Sequence, residues 1–190
     1  MYIIKHIGTN SIETIRLILR RFRVEDTFDM YKNWAGDKET LRYLPWGPHS
    51  DVNVTHRRIL SWLESYKHLN VYNWAIYLKS DKQVIGSISV EISNDKEKSC
   101  EVGYCIGRGF WGREIVPEAL QAVMHYLFCE VGYEMIQAKH DVHNIASGRV
   151  MQKAGMHYEK TIHEVGRRRD GSLYDVDMYV KHNNYSDRVK

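Results

Sequence analysis

The chain is poor in cysteine and proline and has no long uncharged stretch. Its three cysteines, Cys100, Cys105 and Cys129, form no CxxC pair and are odd in number. That excludes a complete disulfide framework and fits reduced thiols in a cytosolic protein. Only three prolines occur, so no proline-rich linker divides the 190 residues, and there is no internal repeat or low-complexity tract. One domain over residues 1–190 is expected. No run approaches the ~20 apolar residues of a membrane span. The opening MYIIKHIGTN is broken by Lys5 and His6 before it builds the apolar stretch of a signal peptide. A cytoplasmic protein without a membrane partner is the expectation.

What is present is an ordinary globular composition with a mild basic excess. Net charge is +3 and the sequence pI is about 8.6, which suits an anionic ligand without specifying one. Residues 14–22 (TIRLILRRF) alternate Ile15, Leu17 and Leu19 against Arg16 and Arg20, the period of a strand. Glu25 and Asp26 open a helix with Phe28, Met30, Tyr31 and Trp34 as its apolar positions. Residues 41–49 (LRYLPWGPH) read as a loop, and a second helix from about Asn53 carries Ile59, Trp62, Leu63 and Tyr66. Three strands follow as a meander, near residues 74–78, 84–92 and 100–106. A glycine-bearing loop leads into a helix over about 116–130, with Pro117 in its first turn, where a missing N–H does no harm. Then come a strand at 134–140, a helix at 144–154 closed by Gly155, and two strands near 157–165 and 173–181 around a turn at Asp170-Gly171. The order is that of an α/β chain with a mixed sheet.

The run EVGYCIGRGFWGREIVPEALQAVMHYLF, residues 101–128, resembles the donor-binding core of the GNAT superfamily of N-acetyltransferases. It is most similar to the Rim-type branch, which acetylates N-terminal amines of ribosomal proteins. Residues 16–46 resemble that branch's opening strand and helix, residues 144–156 (NIASGRVMQKAGM) its N-x-x-S…K-x-G helix, and residues 170–179 its closing hairpin. The resemblance implies a GNAT fold, with a mixed central sheet of about seven strands and about four helices, splayed between the fourth and fifth strands. It implies direct transfer of acetyl from acetyl-coenzyme A to a primary amine, on a small molecule or a peptide.

The chemistry explains these residue types. A loop running into a helix N-terminus offers unpaired N–H groups and a positive dipole end to a pyrophosphate. Gly107, Gly109 and Gly112 allow close approach of backbone, while Arg108 and Arg113 add charge. With Trp111 and Ile115 they complete the implied donor loop. One position departs from the family pattern: Glu114 stands where a second glycine is expected. A carboxylate near phosphate is unfavourable, and a non-glycine residue resists positive φ. The family's cleft runs along Tyr104, Cys105 and Ile106, where a backbone N–H can hold the oxyanion. Asn144 matches a contact to the pantetheine arm and also reads as a helix N-cap. Ser147 matches a position near the sulfur, where it protonates or hydrogen-bonds the leaving thiolate.

Glu101 is the first candidate for the base that takes the amine proton, and it also reads as a solvent-facing strand residue. His140, Asp141 and His143 rank second as bases. As metal ligands they form a weak set, and the chemistry needs no metal. Trp46 matches the acceptor pocket or serves as a core aromatic. Arg167, Arg168 and Arg169 read as a solvated hairpin tip; nucleic acid is not expected as a partner. The oligomeric state, monomer or homodimer, stays open. A non-catalytic acyl-coenzyme A binding or sensing module, motivated by Glu114, is the competing reading.

Overall fold

The computed structural model describes residues 3–167 and 171–183. Among the described residues, eight strands form one sheet in the order β1-β2-β3-β4-β5-β6-β8-β7. They are β1 (Ile12–Glu13), β2 (Leu17–Arg20), β3 (Asn73–Leu78), β4 (Gln83–Asn94), β5 (Ser99–Ile106), β6 (Met135–Asp141), β7 (His157–Arg167) and β8 (Leu173–His182). The described residues also form four α-helices: α1 (Thr27–Met30), α2 (Val52–Ser65), α3 (Ile115–Tyr126) and α4 (Ile145–Lys153). The two-residue β1 is the strand absent from the expected seven. It is too short to show a period, and the chain turns between it and β2. That turn leaves Ile15 94% exposed, so Ile15 is not on the buried face with Leu17 and Leu19.

The sheet is buried on both faces. Trp74, Ile76 and Leu78 of β3 join α3 and α4 in one core, while Ala75 of the same strand joins Phe22, Met30, Trp34 and Ile59 in the other. A strand covered on both sides reads as a near-continuous apolar run, as NWAIYL does. Asp51 caps α2 by accepting from the N–H groups of Asn53 and Val54.

Two helices end in π turns, which periodicity cannot show. α1 passes into Tyr31–Ala35, where the Gly36 N–H reaches back five residues to Tyr31 O at 2.9 Å. α3 passes into Leu127–Val131, closed by Gly132.

All strand pairs are antiparallel except β5 with β6. That pair is parallel and short, matching Ser99, Cys100 and Glu101 to Met135, Ile136 and Gln137. Beyond Glu101 the two strands part, β5 staying with β4 to Ile106 and β6 with β8 to Asp141. This is the expected splay, between the fourth and fifth strands of the seven read from the sequence. Of the arginine run only Arg167 is described. Arg168, Arg169 and the turn residue Asp170 lie outside the described residues. No helix among the described residues is long and apolar enough to cross a membrane.

Candidate active site

A cavity of about 710 Å³ opens where β5 and β6 part. β5 lines it with residues 102–106, the following loop and the start of α3 with residues 110–117, and α4 with residues 144–147. The loop after α1 adds residues 42–45, and the end of β6 adds Lys139, His140 and Asp141.

Most of the donor residues read from the sequence meet here. Tyr104, Cys105 and Ile106 line the cavity, as do Trp111, Gly112, Arg113, Glu114 and Ile115. Asn144 and Ser147 face them from α4. Arg108, Gly109, Glu101 and Trp46 are not on its wall. Arg108 is drawn off to Asp37 at 3.4 Å. Trp46 sits against His49, ring centroids 5.8 Å apart, while its neighbours Leu44 and Pro45 line the cavity.

The loop's glycines divide their work. Gly107 is buried, and a Cβ there would lie 2.5 Å from Asn33 O on the first π turn. Its smallness therefore serves packing. Gly109 and Gly112 have open space, and Gly112 has φ +73°. The N–H groups of Gly112, Arg113 and Glu114 donate to no backbone carbonyl among the described residues. The first N–H groups of α3 are unpaired by helix geometry. Backbone donors grouped in this way can bind an anion.

Glu114 does adopt the left-handed conformation that a glycine would take, with φ 57° and ψ 25°. Its carboxylate is drawn to Lys153 Nζ on α4, 2.5 Å away. This exposed ion pair offsets the carboxylate's charge beside the loop. Arg113 is engaged too, 3.7 Å from Asp81 and stacked over Phe110 at 5.5 Å.

Deeper in the cleft, the Tyr104 hydroxyl lies 2.8 Å from Ser147 Oγ and donates to Ser147 O at 3.0 Å. Burial pushes the Tyr104 phenol well above its ordinary value, so it stays protonated. Burial also pushes the Cys105 thiol up to about 12. Asn144 caps α4 by accepting from the Ser147 N–H at 3.4 Å.

Glu101 is not solvent-facing: its side chain is 14% exposed, and Lys139 Nζ lies 2.9 Å from one carboxylate oxygen and 3.1 Å from the other. Asp141, also buried, accepts from the His143 backbone N–H at 2.9 Å and meets His143 Nδ1 at 3.0 Å. His140 donates from Nδ1 to Asp141 O at 2.8 Å, and its buried Nε2 has no hydrogen-bond partner among the described residues. That ring packs on Gly148, where a Cβ would come within 2.6 Å of Nε2. Lys139 gave no signal in the sequence, and Lys153, though it stands in the K-x-G motif, gave no sign of its pairing, because a lysine's partner on another element is invisible there. No group of three or more His, Cys, Asp or Glu side chains among the described residues is arranged to hold a metal ion.

Against known proteins, the family described as "Acetyltransferase (GNAT) domain" matches residues 16–157. An uncharacterized N-acetyltransferase of Bacillus licheniformis, p20, is 25% identical over 169 residues, covering 89% of this chain and 94% of its own. The Escherichia coli enzyme named for acetylating the alanine of ribosomal protein uS5 is 23% identical over 154 residues, 78% of each chain. Among solved structures, a Bacillus anthracis acetyltransferase of the GNAT family superposes with a TM-score of 0.79 at 22% identity, covering 92% of this chain and 99% of that one. That likeness establishes the shared fold.

Proposed function

Since the chain belongs to the GNAT acetyltransferase family, we propose that it transfers the acetyl group of acetyl-coenzyme A to a primary amine, in a ternary complex and without a covalent enzyme intermediate. The carrying observation is the parting of β5 and β6, which opens a cavity lined both by the loop at the start of α3 and by Tyr104, Asp141, His143 and Ser147. Residues 112–116 hold the diphosphate through backbone N–H groups. The pantetheine arm runs along residues 104–106 and past Asn144. The acceptor enters beside residues 42–45, with Trp46 bordering that mouth, and is a small-molecule or peptide amine met in the cytoplasm. The uS5-alanine specificity of one relative makes a peptide N-terminus the first acceptor to try.

Glu101 receives the amine's proton. It already holds one primary ammonium, that of Lys139, in bidentate geometry, and the acceptor ammonium has the same chemistry. The neutral amine attacks the thioester carbon, a backbone N–H of β5 stabilises the oxyanion, and collapse breaks the C–S bond. Ser147, backed by the Tyr104 hydroxyl, supplies a hydrogen bond or a proton to the departing thiolate. One observation favours a second base: the Asp141–His143 pair lines the cavity and Glu101 does not.

Amine-dependent release of free thiol from acetyl-coenzyme A tests the reaction. Donor binding with no turnover on any amine sinks it in favour of a sensing module. Glu101→Gln and His143→Asn separate the bases, because only loss of the true base removes the acidic limb of the pH–rate profile.

A further inference from the structure

Arg16 lies outside the cavity wall, yet its guanidinium is committed to the donor loop. Nη1 donates to Arg113 O at 2.8 Å and Nη2 to Glu114 O at 2.7 Å. Nε donates to Glu118 Oε2 at 2.6 Å, in the first turn of α3. Glu118 Oε1 in turn accepts from the Thr14 hydroxyl at 2.6 Å and from the Arg16 backbone N–H at 3.1 Å. The turn joining β1 to β2 is thus fastened to the start of α3 by five charge-assisted hydrogen bonds.

The stereochemical consequence is specific. A trans peptide carries its C=O and N–H on opposite sides. With the carbonyls of Arg113 and Glu114 drawn toward Arg16, the N–H groups of Glu114 and Ile115 must point away from it. Both residues line the cavity. The clamp therefore aims two backbone donors, and it does so across the one residue of the loop that takes a left-handed conformation without being glycine, Glu114 at φ 57°.

We infer that Arg16, seated on Glu118, is a positioning residue for the donor's diphosphate, and that it holds the left-handed turn at Glu114, a conformation that costs glutamate more than it would cost glycine. The inference rests on the donor reading given above. A lysine cannot replace Arg16, since a single ammonium lacks the planar fork that reaches two carbonyls and a carboxylate together.

The test is calorimetric titration of the full chain with coenzyme A, alongside turnover of S-acetyl-pantetheine, which has no diphosphate. Arg16→Lys should weaken coenzyme A binding roughly tenfold, the scale of one or two lost charge-assisted hydrogen bonds, and leave kcat/KM for S-acetyl-pantetheine within about twofold. Adding Glu114→Gly to Arg16→Lys should restore most of the lost affinity, because glycine takes positive φ without the clamp. A merely structural role for Arg16 would show no such rescue. Glu118→Gln, which keeps side-chain size, should weaken coenzyme A in the same direction and be rescued in the same way, so the test stands even if Arg16→Lys does not fold. The inference is overturned if both substitutions leave coenzyme A affinity unchanged, if they weaken both probes equally, or if Glu114→Gly rescues neither. A parent chain that binds no coenzyme A overturns this inference and the donor reading together, whereas a parent that binds with an indifferent Arg16 overturns this inference alone.

Discussion

Removing the Tyr104 hydroxyl is the sharpest probe of the proton path to the leaving group. The phenol has one proton and two oxygens of Ser147 in reach, Oγ at 2.8 Å and O at 3.0 Å. When it donates to the carbonyl, its own oxygen can accept from Ser147 Oγ. When Ser147 turns its proton toward a thiolate, Tyr104 is free to donate to Oγ instead. Tyr104→Phe deletes both arrangements. One net hydrogen bond is worth about 1 kcal/mol, so thermal unfolding should drop by roughly 2–4 °C for a chain of this size. The same energy, if it orients Ser147 in the transition state, is about a fivefold to tenfold loss in kcat/KM for the acetyl donor. The assay is thiol release for Tyr104→Phe, Ser147→Ala and the double variant. If Tyr104 acts through Ser147, the double variant is no slower than Ser147→Ala. Multiplicative losses, or no kinetic loss in Tyr104→Phe, would refute the relay.

Other outcomes follow from the same geometry. Burial acts to raise the Glu118 pKa, but the Thr14 hydroxyl and the backbone and guanidinium of Arg16 outweigh it and hold the carboxyl below its ordinary 4.5. A depressed folded pKa gives stability that is complete above the unfolded value and lost as pH falls through the folded one. Acid unfolding should therefore lose part of its dependence below about pH 4.5 in Glu118→Gln, as read by circular dichroism. Gly148→Ala drives a methyl into the His140 ring at 2.6 Å and should lower the unfolding free energy by about 1–3 kcal/mol, read by denaturant titration. Maleimide should label one of the three thiols in the native state, the exposed Cys129, and reach buried Cys100 and Cys105 only on unfolding, counted by mass spectrometry. Lys153→Gln should change stability by less than about 1 kcal/mol, since both partners of its ion pair with Glu114 are more than half exposed, and should weaken donor binding by leaving the Glu114 charge uncompensated.

Much of this was legible in the chain because long elements carry long signals. The meander, α2, α3 and α4 fall within a few residues of where their apolar spacing puts them, and the splay lies where the family resemblance implies. What escaped was local or relational. β1 is two residues long, and each π turn lengthens a single turn of an otherwise 3.6-residue period, too local a change to register in apolar spacing. Ile15 alternates correctly with Leu17 but lies on a turn. At the site, loop and helix residues could be named one at a time, yet their pairing could not. Glu114 read as a misplaced charge because its partner Lys153 lies on another helix, 39 residues away. Arg16 read as the outward face of a strand because Glu118 and the loop carbonyls lie about 100 residues on. Gly107 carried its smallness openly, but the sequence does not say that Asn33 O, rather than phosphate, requires it.

The most direct measurement of the central claim is amide hydrogen exchange with and without acetyl-coenzyme A. Donor-dependent protection should concentrate in residues 104–106 and 112–116, where the strands part and α3 begins. Protection elsewhere with those segments unchanged, or no protection at saturating donor, would contradict it.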